Sequence, residues 1–247
     1  MDFTLLTFDI LDSTNTEALR QAKLGADEGL CIVARQQTAG RGRHGRTWVS
    51  ERDAGVYLSV VLRPKLDTHD LPLITLMSGI AVHDTLRELG MQPDIKWVND
   101  VLVNEKKIAG ILAEATETPD GVAVVSGIGI NLTSANFPPD LVTTATSVED
   151  NSPVAVSRDE LIEVLTGRLS HFYDMLQAKN GPAEIIENWR QRSTYFTGKL
   201  VRVVMENETV TGTTDGLENS GALRVKRANG TVVVVQTGDI ERLRAVG

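Results

Sequence analysis

Four stretches of the chain place apolar residues at the three-to-four-residue spacing of an amphipathic helix. The first begins near Thr14, because Thr14 and Glu17 have the spacing of a capping box. Its apolar stripe consists of Ala18, Leu19 and Ala22. The other predicted helices cover residues 72–90 and 157–181 and a shorter segment that begins at residue 182.

Short apolar runs bounded by turn residues are typical of strands. They cover residues 5–12, 30–34, 56–62, 95–98, 101–103, 108–112, 122–125 and the glycine-containing run 127–132. From residue 95 onward the connections are short, which suits hairpins and leaves no room for a crossover helix. The pattern therefore predicts an α+β fold, with helices packed on a mixed, mostly antiparallel sheet.

The pattern changes after about Thr197, where the helices stop and short strands separated by polar turns begin. These strands are predicted at residues 200–204, 210–213, 222–225 and 232–235. Several short strands at close spacing are typical of a small barrel, here of about 50 residues. We therefore expect one domain over residues 1–196 and a second over residues 197–247.

Composition narrows the class of protein. With 41% hydrophobic and 23% charged residues in 247, the chain is expected to be globular. The single cysteine cannot form an internal disulfide. There is no run of about 18 apolar residues for a membrane span, and the start lacks the basic segment followed by an apolar segment that a secretion signal needs. A net charge of -8 argues against general nucleic-acid binding. These features predict a cytoplasmic protein without membrane attachment.

One loop carries positive charge against this acidic background. Residues 40–48 contain three glycines and three arginines, a combination typical of a phosphate or carboxylate cradle. The loop nearly matches a Walker A motif, with Arg46 in place of its lysine. A Walker A loop lies between a strand and a helix, whereas a strand follows this loop, so we do not interpret it as a P-loop.

A second group of polar residues follows the strand at 95–98. Lys96, Asn99 and Asp100 lie at its end, and Lys107 lies close to them across the predicted hairpin. They could face one cleft, but Asn99 and Asp100 are also ordinary turn residues. Residues 127–132 resemble a dinucleotide fingerprint, yet the third glycine and the following helix are missing.

Together these segments resemble the biotin protein ligases. The resemblance rests on residues 12–15, 37–46, 96–100, 107–112 and 127–132, in this order, and extends over essentially the whole length. Val98 stands where the family usually has proline. The chain begins directly at the catalytic domain, so we expect a monofunctional form without the N-terminal helix-turn-helix and without DNA binding.

The resemblance implies a biotin/lipoyl ligase-like catalytic domain followed by an SH3-like barrel. It also implies an ATP-dependent ligase that makes biotinyl-5′-AMP and pyrophosphate and then transfers biotin to a lysine of a carboxylase carrier domain. ATP and biotin are the implied substrates and Mg²⁺ the implied metal, with no tightly bound redox cofactor. The implied catalytic residues are Arg43, Lys96, Asp100 and Lys107.

The resemblance also assigns contacts to the two substrates. Biotin contacts are implied for Ser13, Thr14, Asn15, Gln37, Gly40, Arg41, Gly42, Arg43, Lys107, Gly110 and Gly129. Nucleotide contacts are implied for Arg41, Arg43, Arg46, Trp48, Lys96, Asn99, Lys107 and Asn131. Asp100 is expected to hold Mg²⁺ or to accept a proton from the acceptor lysine. Thr14 is expected to cap its helix, which leaves Ser13 for the ligand.

Three questions stay open at this point. Lipoate or octanoate ligases perform the same chemistry with another acid, although the hydroxyls of Ser13 and Thr14 with Gln37 favour a polar ureido head. A non-catalytic sensor of biotinyl-AMP would retain the pocket without turnover. The protein is expected to be a monomer or a homodimer, and its 40–48 loop is expected to become ordered when the adenylate binds.

Overall fold

The structure is a computed structural model that describes residues 1–205 and 208–242. The first part of the chain forms a seven-stranded sheet with the order β1-β2-β3-β7-β6-β5-β4. Its strands are β1 (Thr4–Leu11), β2 (Leu30–Gln37), β3 (Gly55–Leu62), β4 (Pro93–Lys96), β5 (Asp100–Val103), β6 (Lys106–Thr118) and β7 (Gly121–Asn131). Only β1 and β2 pair in parallel within this sheet. The predicted mixed, mostly antiparallel α+β fold is confirmed.

Five α-helices accompany the sheet in the described residues. They are α1 (Thr14–Lys23), α2 (Leu73–Glu88), α3 (Val148–Asn151), α4 (Arg158–Gln177) and α5 (Gly181–Arg192). Helix α2 is buried almost all round, because it lies between the sheet on one side and α4 and α5 on the other. Ser157 caps α4 by accepting the amide of Glu160, as its spacing predicts. The short helix α3 is not indicated by any apolar period.

Strands β6 and β7 are much longer than their apolar cores indicate. The predicted runs 108–112 and 122–125 become strands of 13 and 11 residues, and the run 127–132 joins β7. The two strands pair continuously from Ala109 with Ile130 to Thr118 with Gly121. Continuous pairing includes polar residues in the ladder, since backbone hydrogen bonds do not depend on the side chain.

The last described segment forms a five-stranded antiparallel sheet with the order β11-β10-β9-β8-β12. Its strands are β8 (Thr197–Val204), β9 (Thr209–Leu217), β10 (Leu223–Lys226), β11 (Val232–Val235) and β12 (Asp239–Arg242). The first four correspond to the four predicted strands, and β12 is additional. Residues 243–247 of the second expected domain lie outside the described residues.

A buried contact joins this small sheet to the first part of the chain. The Trp97 indole Nε1 donates to the Gly221 carbonyl at 2.9 Å, and both residues are buried. A Cβ on Gly221 would lie 2.9 Å from Leu76 Cδ1, so glycine lets this turn pack against α2. The contact places the β9–β10 turn beside the end of β4.

Replacing Trp97 by phenylalanine is expected to lower the free energy of unfolding by about 1–3 kcal/mol beyond the loss of ring volume. The reason is that the buried Gly221 carbonyl loses its donor. Urea denaturation measures the effect, with Trp189→Phe as control, because the buried Trp189 Nε1 has no partner among the described residues. Equal losses in the two variants would contradict a stabilising role for the hydrogen bond.

None of the helices in residues 1–205 and 208–242 combines the length and the apolar character needed to cross a bilayer.

Candidate active site

A cavity of about 280 Å³ lies where α1, the 40–48 loop and the central strands β6 and β7 meet. Fifteen of the predicted site residues line it: Ser13, Thr14, Asn15, Gln37, Arg41, Gly42, Arg43, Arg46, Trp48, Asn99, Asp100, Lys107, Gly110, Gly129 and Asn131. Phe137 and Leu141, from the segment after β7, add apolar surface to the wall. The structure therefore brings residues from four distant segments of the chain to one cavity.

Gly40 is not among the residues that line this cavity, and the biotin contact expected for it stays a prediction. It is buried, and a Cβ there would lie 2.3 Å from the Trp48 carbonyl oxygen. Its carbonyl is used inside the loop, where it accepts from the Trp48 N–H at 3.0 Å. The glycine therefore permits the two ends of the loop to approach each other.

Lys96 lines a second cavity of about 230 Å³ and is absent from the first. The second cavity adjoins the first, since Arg43, Arg46, Asn99 and Asp100 line both. Its far wall is formed by Gly238 and Ile240 of the small C-terminal sheet. Lys96 and the first cavity therefore share one carboxylate, that of Asp100, which lines both cavities.

The 40–48 loop is a tight reversal of the backbone. The Gly42 N–H donates to the Arg46 carbonyl at 2.7 Å, and His44 and Gly45 both adopt left-handed conformations, with φ of 53° and 72°. The amides of Gly42, Arg46 and Trp48 are thereby used within the loop. The anion-binding capacity of the loop therefore resides mainly in its arginine side chains.

The polar end of the cavity is a set of linked hydrogen bonds. Gln37 Oε1 accepts from the Thr14 amide at 2.8 Å and from the Thr14 hydroxyl at 3.1 Å. Gln37 Nε2 donates to Ser50 Oγ at 2.8 Å. The prediction that Thr14 caps α1 is wrong. Ser13 is the N-cap and accepts a hydrogen bond from the Thr16 amide, whereas Thr14 is the first helical residue.

Asn15 also lines the cavity, but its amide is bound within the protein. Asn15 Nδ2 donates to the Leu112 carbonyl at 3.0 Å and to Glu114 Oε2 at 2.9 Å, and Asn15 Oδ1 accepts from the Ser59 hydroxyl at 2.6 Å. A Cβ on Gly127 would lie 1.8 Å from Asn15 Oδ1. Asn15 therefore shapes the polar end and is held there from three sides.

A carboxylate between two lysines lies at the opposite end. Lys107 Nζ is 2.6 Å from Asp100 Oδ1, and Lys96 Nζ is 3.6 Å from Asp100 Oδ2. Burial acts to raise the pKa of Asp100, but the charges of Lys107, Lys96 and Arg43 and the Lys107 hydrogen bond hold it below its ordinary value. Asp100 is therefore ionised at neutral pH and holds both ammonium groups in place.

The Trp48 indole lies against the backbone of β6 and β7. Cβ atoms on Gly129 and Gly110 would come within 2.4 Å and 3.0 Å of the ring. Lys107 Nζ lies 5.3 Å from the ring centroid, a cation–π contact. The buried Trp48 Nε1 has no partner among the described residues. The two glycines thus create an aromatic shelf beside the cationic end.

Arg43 links the loop to both parts of the molecule. Its guanidinium donates to Asn99 Oδ1 at 3.3 Å, to the Gly238 carbonyl at 3.2 Å and to Thr237 Oγ1 at 3.1 Å. Asn99 Nδ2 donates to the Ile111 carbonyl, and Asn131 Nδ2 donates to the Thr146 carbonyl. The two asparagine side chains are therefore oriented by the protein itself.

The arrangement suits one kind of molecule. Hydroxyls and an amide at one end can hold a neutral polar head, while Arg43, Arg46 and Lys107 at the other end attract an anion. An aromatic shelf at the anionic end offers a surface for a planar ring.

Comparison with known proteins gives the same family. The Biotin/lipoate A/B protein ligase family matches residues 7–131, and the Biotin protein ligase C terminal domain matches residues 196–243. The biotin–acetyl-CoA-carboxylase ligase of Mycobacterium tuberculosis is 35% identical over 243 residues, which are 94% of this chain and 86% of that protein. This chain belongs to the biotin/lipoate A/B protein ligase family.

Further relatives extend the comparison. The bifunctional ligase/repressor BirA of Bacillus subtilis is 34% identical over 242 residues, covering 96% of this chain and 73% of that protein. The solved biotin protein ligase from Aquifex aeolicus in complex with biotin and ATP has a TM-score of 0.82 at 28% identity, with 98% of this chain and 99% of that one covered. The family resemblance drawn from the sequence motifs is confirmed.

Sequence reasoning missed several residues of the site. Glu114 and Ser59 hold Asn15, Ser50 holds Gln37, and Thr237 contacts Arg43 from the C-terminal sheet. None of them lies within the motifs, and their side chains meet the site only through strand register or packing. Glu114 had a weak signal, since it follows the conspicuous run 107–112 by two residues.

The lowered pKa of Asp100 predicts an acid dependence. Its contribution to stability is complete above its ordinary value of 3.8 and is lost as pH falls through the lower folded value. The difference in free energy of unfolding between wild type and Asp100→Asn is therefore expected to be constant near neutral pH and to shrink below about pH 4. Urea titrations at several pH values measure it, and a difference that stays constant into strong acid would contradict the ion pairing.

Proposed function

We propose that this protein is a biotin protein ligase, which joins biotin to AMP with release of pyrophosphate and then biotinylates one lysine of a carboxylase carrier domain. The observation that carries the proposal is the single cavity with a hydrogen-bonding end and a cationic end. The solved relative from Aquifex aeolicus, which contains biotin and ATP, supports both substrates.

The polar end is proposed to hold the ureido ring of biotin. A ureido group has two N–H donors and one carbonyl acceptor, all of which need partners when buried. Ser13 and Thr14, together with Gln37, place hydroxyl and amide groups at that end. A dithiolane or an alkyl chain would leave these groups without partners, which disfavours lipoate and octanoate.

The cationic end is proposed to hold the reacting carboxylate and the α-phosphate of ATP. Both groups are anions, so their approach requires neutralising charge. We assign this role to Arg43 and Lys107, with Arg46 beside them and Lys96 on the second cavity. The carboxylate oxygen attacks the α-phosphorus, the bond to the β-phosphate oxygen breaks, and pyrophosphate leaves with its charge balanced by these side chains.

The nucleotide is proposed to extend over the aromatic shelf. Trp48 provides a ring face for adenine, and its buried indole N–H has no acceptor among the described residues. Asn99 and Asn131 line the same part of the cavity and are assigned as nucleotide contacts. Glycines at positions 110 and 129 keep the backbone close to the shelf.

Mg²⁺ is the metal that this chemistry implies, and the residues fit it. Magnesium in nucleotide sites is held by one or two carboxylates plus substrate phosphates. Asp100 is the carboxylate between the two cavities, and its lowered pKa keeps it anionic. A bound Mg²⁺ would supply further positive charge beside the phosphates. Because a depressed pKa makes a weak base, we assign Asp100 to holding cations and not to proton removal.

In the second step the acceptor lysine, as a neutral amine, attacks the biotinyl carbonyl. The amide bond forms, the bond to the AMP phosphate oxygen breaks, and the amine proton passes to solvent or to the departing phosphate. Excluding water before the acceptor arrives requires the 40–48 loop to cover the adenylate. That this loop becomes ordered on ligand binding stays a prediction.

Two finer assignments accompany this function. We propose a catalytic domain over residues 1–196 and a C-terminal domain over residues 197–247, supported by the start of β8 at Thr197. We place the enzyme in the cytoplasm, because its single cysteine is buried and has no partner for a disulfide. That the protein is a monomer or a homodimer stays a prediction, as does the expectation that it does not bind DNA.

Pyrophosphate release tests the proposal. Enzyme with ATP and Mg²⁺ is given biotin, lipoate or octanoate separately. We expect release with biotin alone. Release with lipoate or octanoate instead would move the protein to the lipoyl branch of its family, and binding of biotin without any release would leave the role of a sensor.

A further inference from the structure

Glu114 lies on β6 at a point where the strand has neighbours on one side only. It pairs with Val125 of β7, whereas the β5 ladder ends at Gly110. Its carboxylate accepts from Arg41 Nη2 at 2.7 Å, from Arg41 Nη1 at 2.9 Å and from Asn15 Nδ2 at 2.9 Å. Both carboxylate oxygens are thus used, and the arginine contact is bidentate.

This carboxylate continues the chain of hydrogen bonds at the polar end. Asn15 Oδ1 accepts from the Ser59 hydroxyl at 2.6 Å, and the same hydroxyl lies 2.7 Å from Thr14 Oγ1. From Thr14 the chain reaches Gln37, which ends β2 directly before the loop.

The same chain then returns to the far end of the loop. Gln37 donates to Ser50, and the Ser50 hydroxyl donates to the Trp48 carbonyl at 3.1 Å. The loop is therefore tied to the cavity wall through Gln37 before it, through the Arg41 side chain near its start and through Trp48 at its end. Glu114 is the charged group that makes the Arg41 attachment.

From this geometry we infer that Glu114 is a positioning residue, which latches the 40–48 loop over the polar end of the cavity and so controls the escape of the bound acid and its adenylate. The inference rests on the proposed function. Glu114 does not line the cavity and acts through Arg41 and Asn15, which do. The latch slows dissociation, because the bound acid leaves only after the ion pair opens.

The test is the dissociation rate of radiolabelled biotin from the full-length protein, measured by chase with unlabelled biotin. For Glu114→Gln we expect dissociation about 5- to 10-fold faster than for wild type, as an arginine–carboxylate contact that is partly exposed is lost. Glu117→Gln removes the same charge from an exposed position of the same strand and is expected to match wild type.

A double-mutant cycle with Arg41→Gln separates the latch from a general structural effect. If Glu114 acts through Arg41, the double variant dissociates biotin no faster than the more impaired single variant. Multiplying effects would show that the two residues act independently and would overturn the inference, as would wild-type dissociation in Glu114→Gln. Wild-type protein that binds no biotin would instead contradict the proposed function.

A second measurement reports on the loop itself. With saturating biotin, amide hydrogen exchange of residues 40–48 is expected to be faster in Glu114→Gln than in wild type and Glu117→Gln, with unchanged protection in α2 and α4. If Glu114→Gln does not fold, Arg41→Gln reports on the same contact from the loop side. Unchanged exchange in the loop would contradict the latch.

Discussion

Replacement of Lys107 by glutamine is expected to slow biotin-dependent pyrophosphate release by about 10²- to 10³-fold, the range for losing one preorganised charged or hydrogen-bonding donor. Lys107 is held by Asp100 at 2.6 Å and lies over the Trp48 ring, so its ammonium group is fixed before substrates arrive. Fixed charge stabilises the transition state without reorganisation, whereas glutamine supplies no charge. Steady-state kinetics with saturating biotin and ATP measure the loss as a fall in kcat.

The neighbouring lysine provides the matched control. Lys106 lies on the same strand and is exposed, and among the described residues its ammonium group donates only to the Val142 carbonyl, at 3.4 Å. Lys106→Gln removes the same charge one residue away and is expected to retain wild-type kcat. A similar fall in both variants would show that net charge matters and not the placement of Lys107. A kcat for Lys107→Gln within threefold of wild type, about 0.65 kcal/mol, would contradict its assigned role.

Replacement of Gly127 by alanine is expected to weaken biotin binding by about 100-fold. The new Cβ would lie 1.8 Å from Asn15 Oδ1, in a place where Asn15 is held by Ser59, Leu112 and Glu114. The amide must move, and the chain from Ser59 to Thr14 and Gln37 moves with it. Misplacing two hydrogen bonds of about 1–1.5 kcal/mol each corresponds to this loss. Isothermal titration calorimetry with biotin measures it.

Stability must be measured alongside, because overpacking alone costs about 1–3 kcal/mol. Gly167→Ala is the matched control, since Gly167 lies within α4 and has no atom within 4 Å of the position of a Cβ. That variant is expected to bind biotin normally and to be slightly more stable, because alanine favours helix. Normal biotin binding by folded Gly127→Ala would show that Asn15 does not shape the polar end.

The local chemistry of the site could be predicted from sequence because it lies in dense motifs. Residues 40–48 are unusually rich in glycine and arginine, and residues 96–100 combine a lysine with an aspartate. Most residues of these two segments line the cavity. The positions of the helices could also be predicted, because a capping residue such as Ser157 acts on amides only a few residues away. In these cases the determining interactions are local in sequence.

The features that could not be predicted from the sequence depend on packing between residues that are far apart in the chain. Gly40 permits a close approach to the Trp48 carbonyl, which depends on how the loop closes. Thr14 would make a good cap, but Ser13 takes that place because Gln37, 23 residues away, engages Thr14. Glu114 reaches Arg41 across 73 residues through the register of β6. No short sequence pattern encodes contacts of this range.

The most direct test of the central claim is the intact mass of a carboxylase carrier domain after incubation with the enzyme, biotin, ATP and Mg²⁺. The account predicts a gain of one biotinyl group, located by peptide mapping at a single lysine and lost when ATP or biotin is omitted or the enzyme carries Lys107→Gln. An unmodified carrier, in a reaction where the enzyme binds biotin and ATP, would contradict the assignment as a biotin protein ligase.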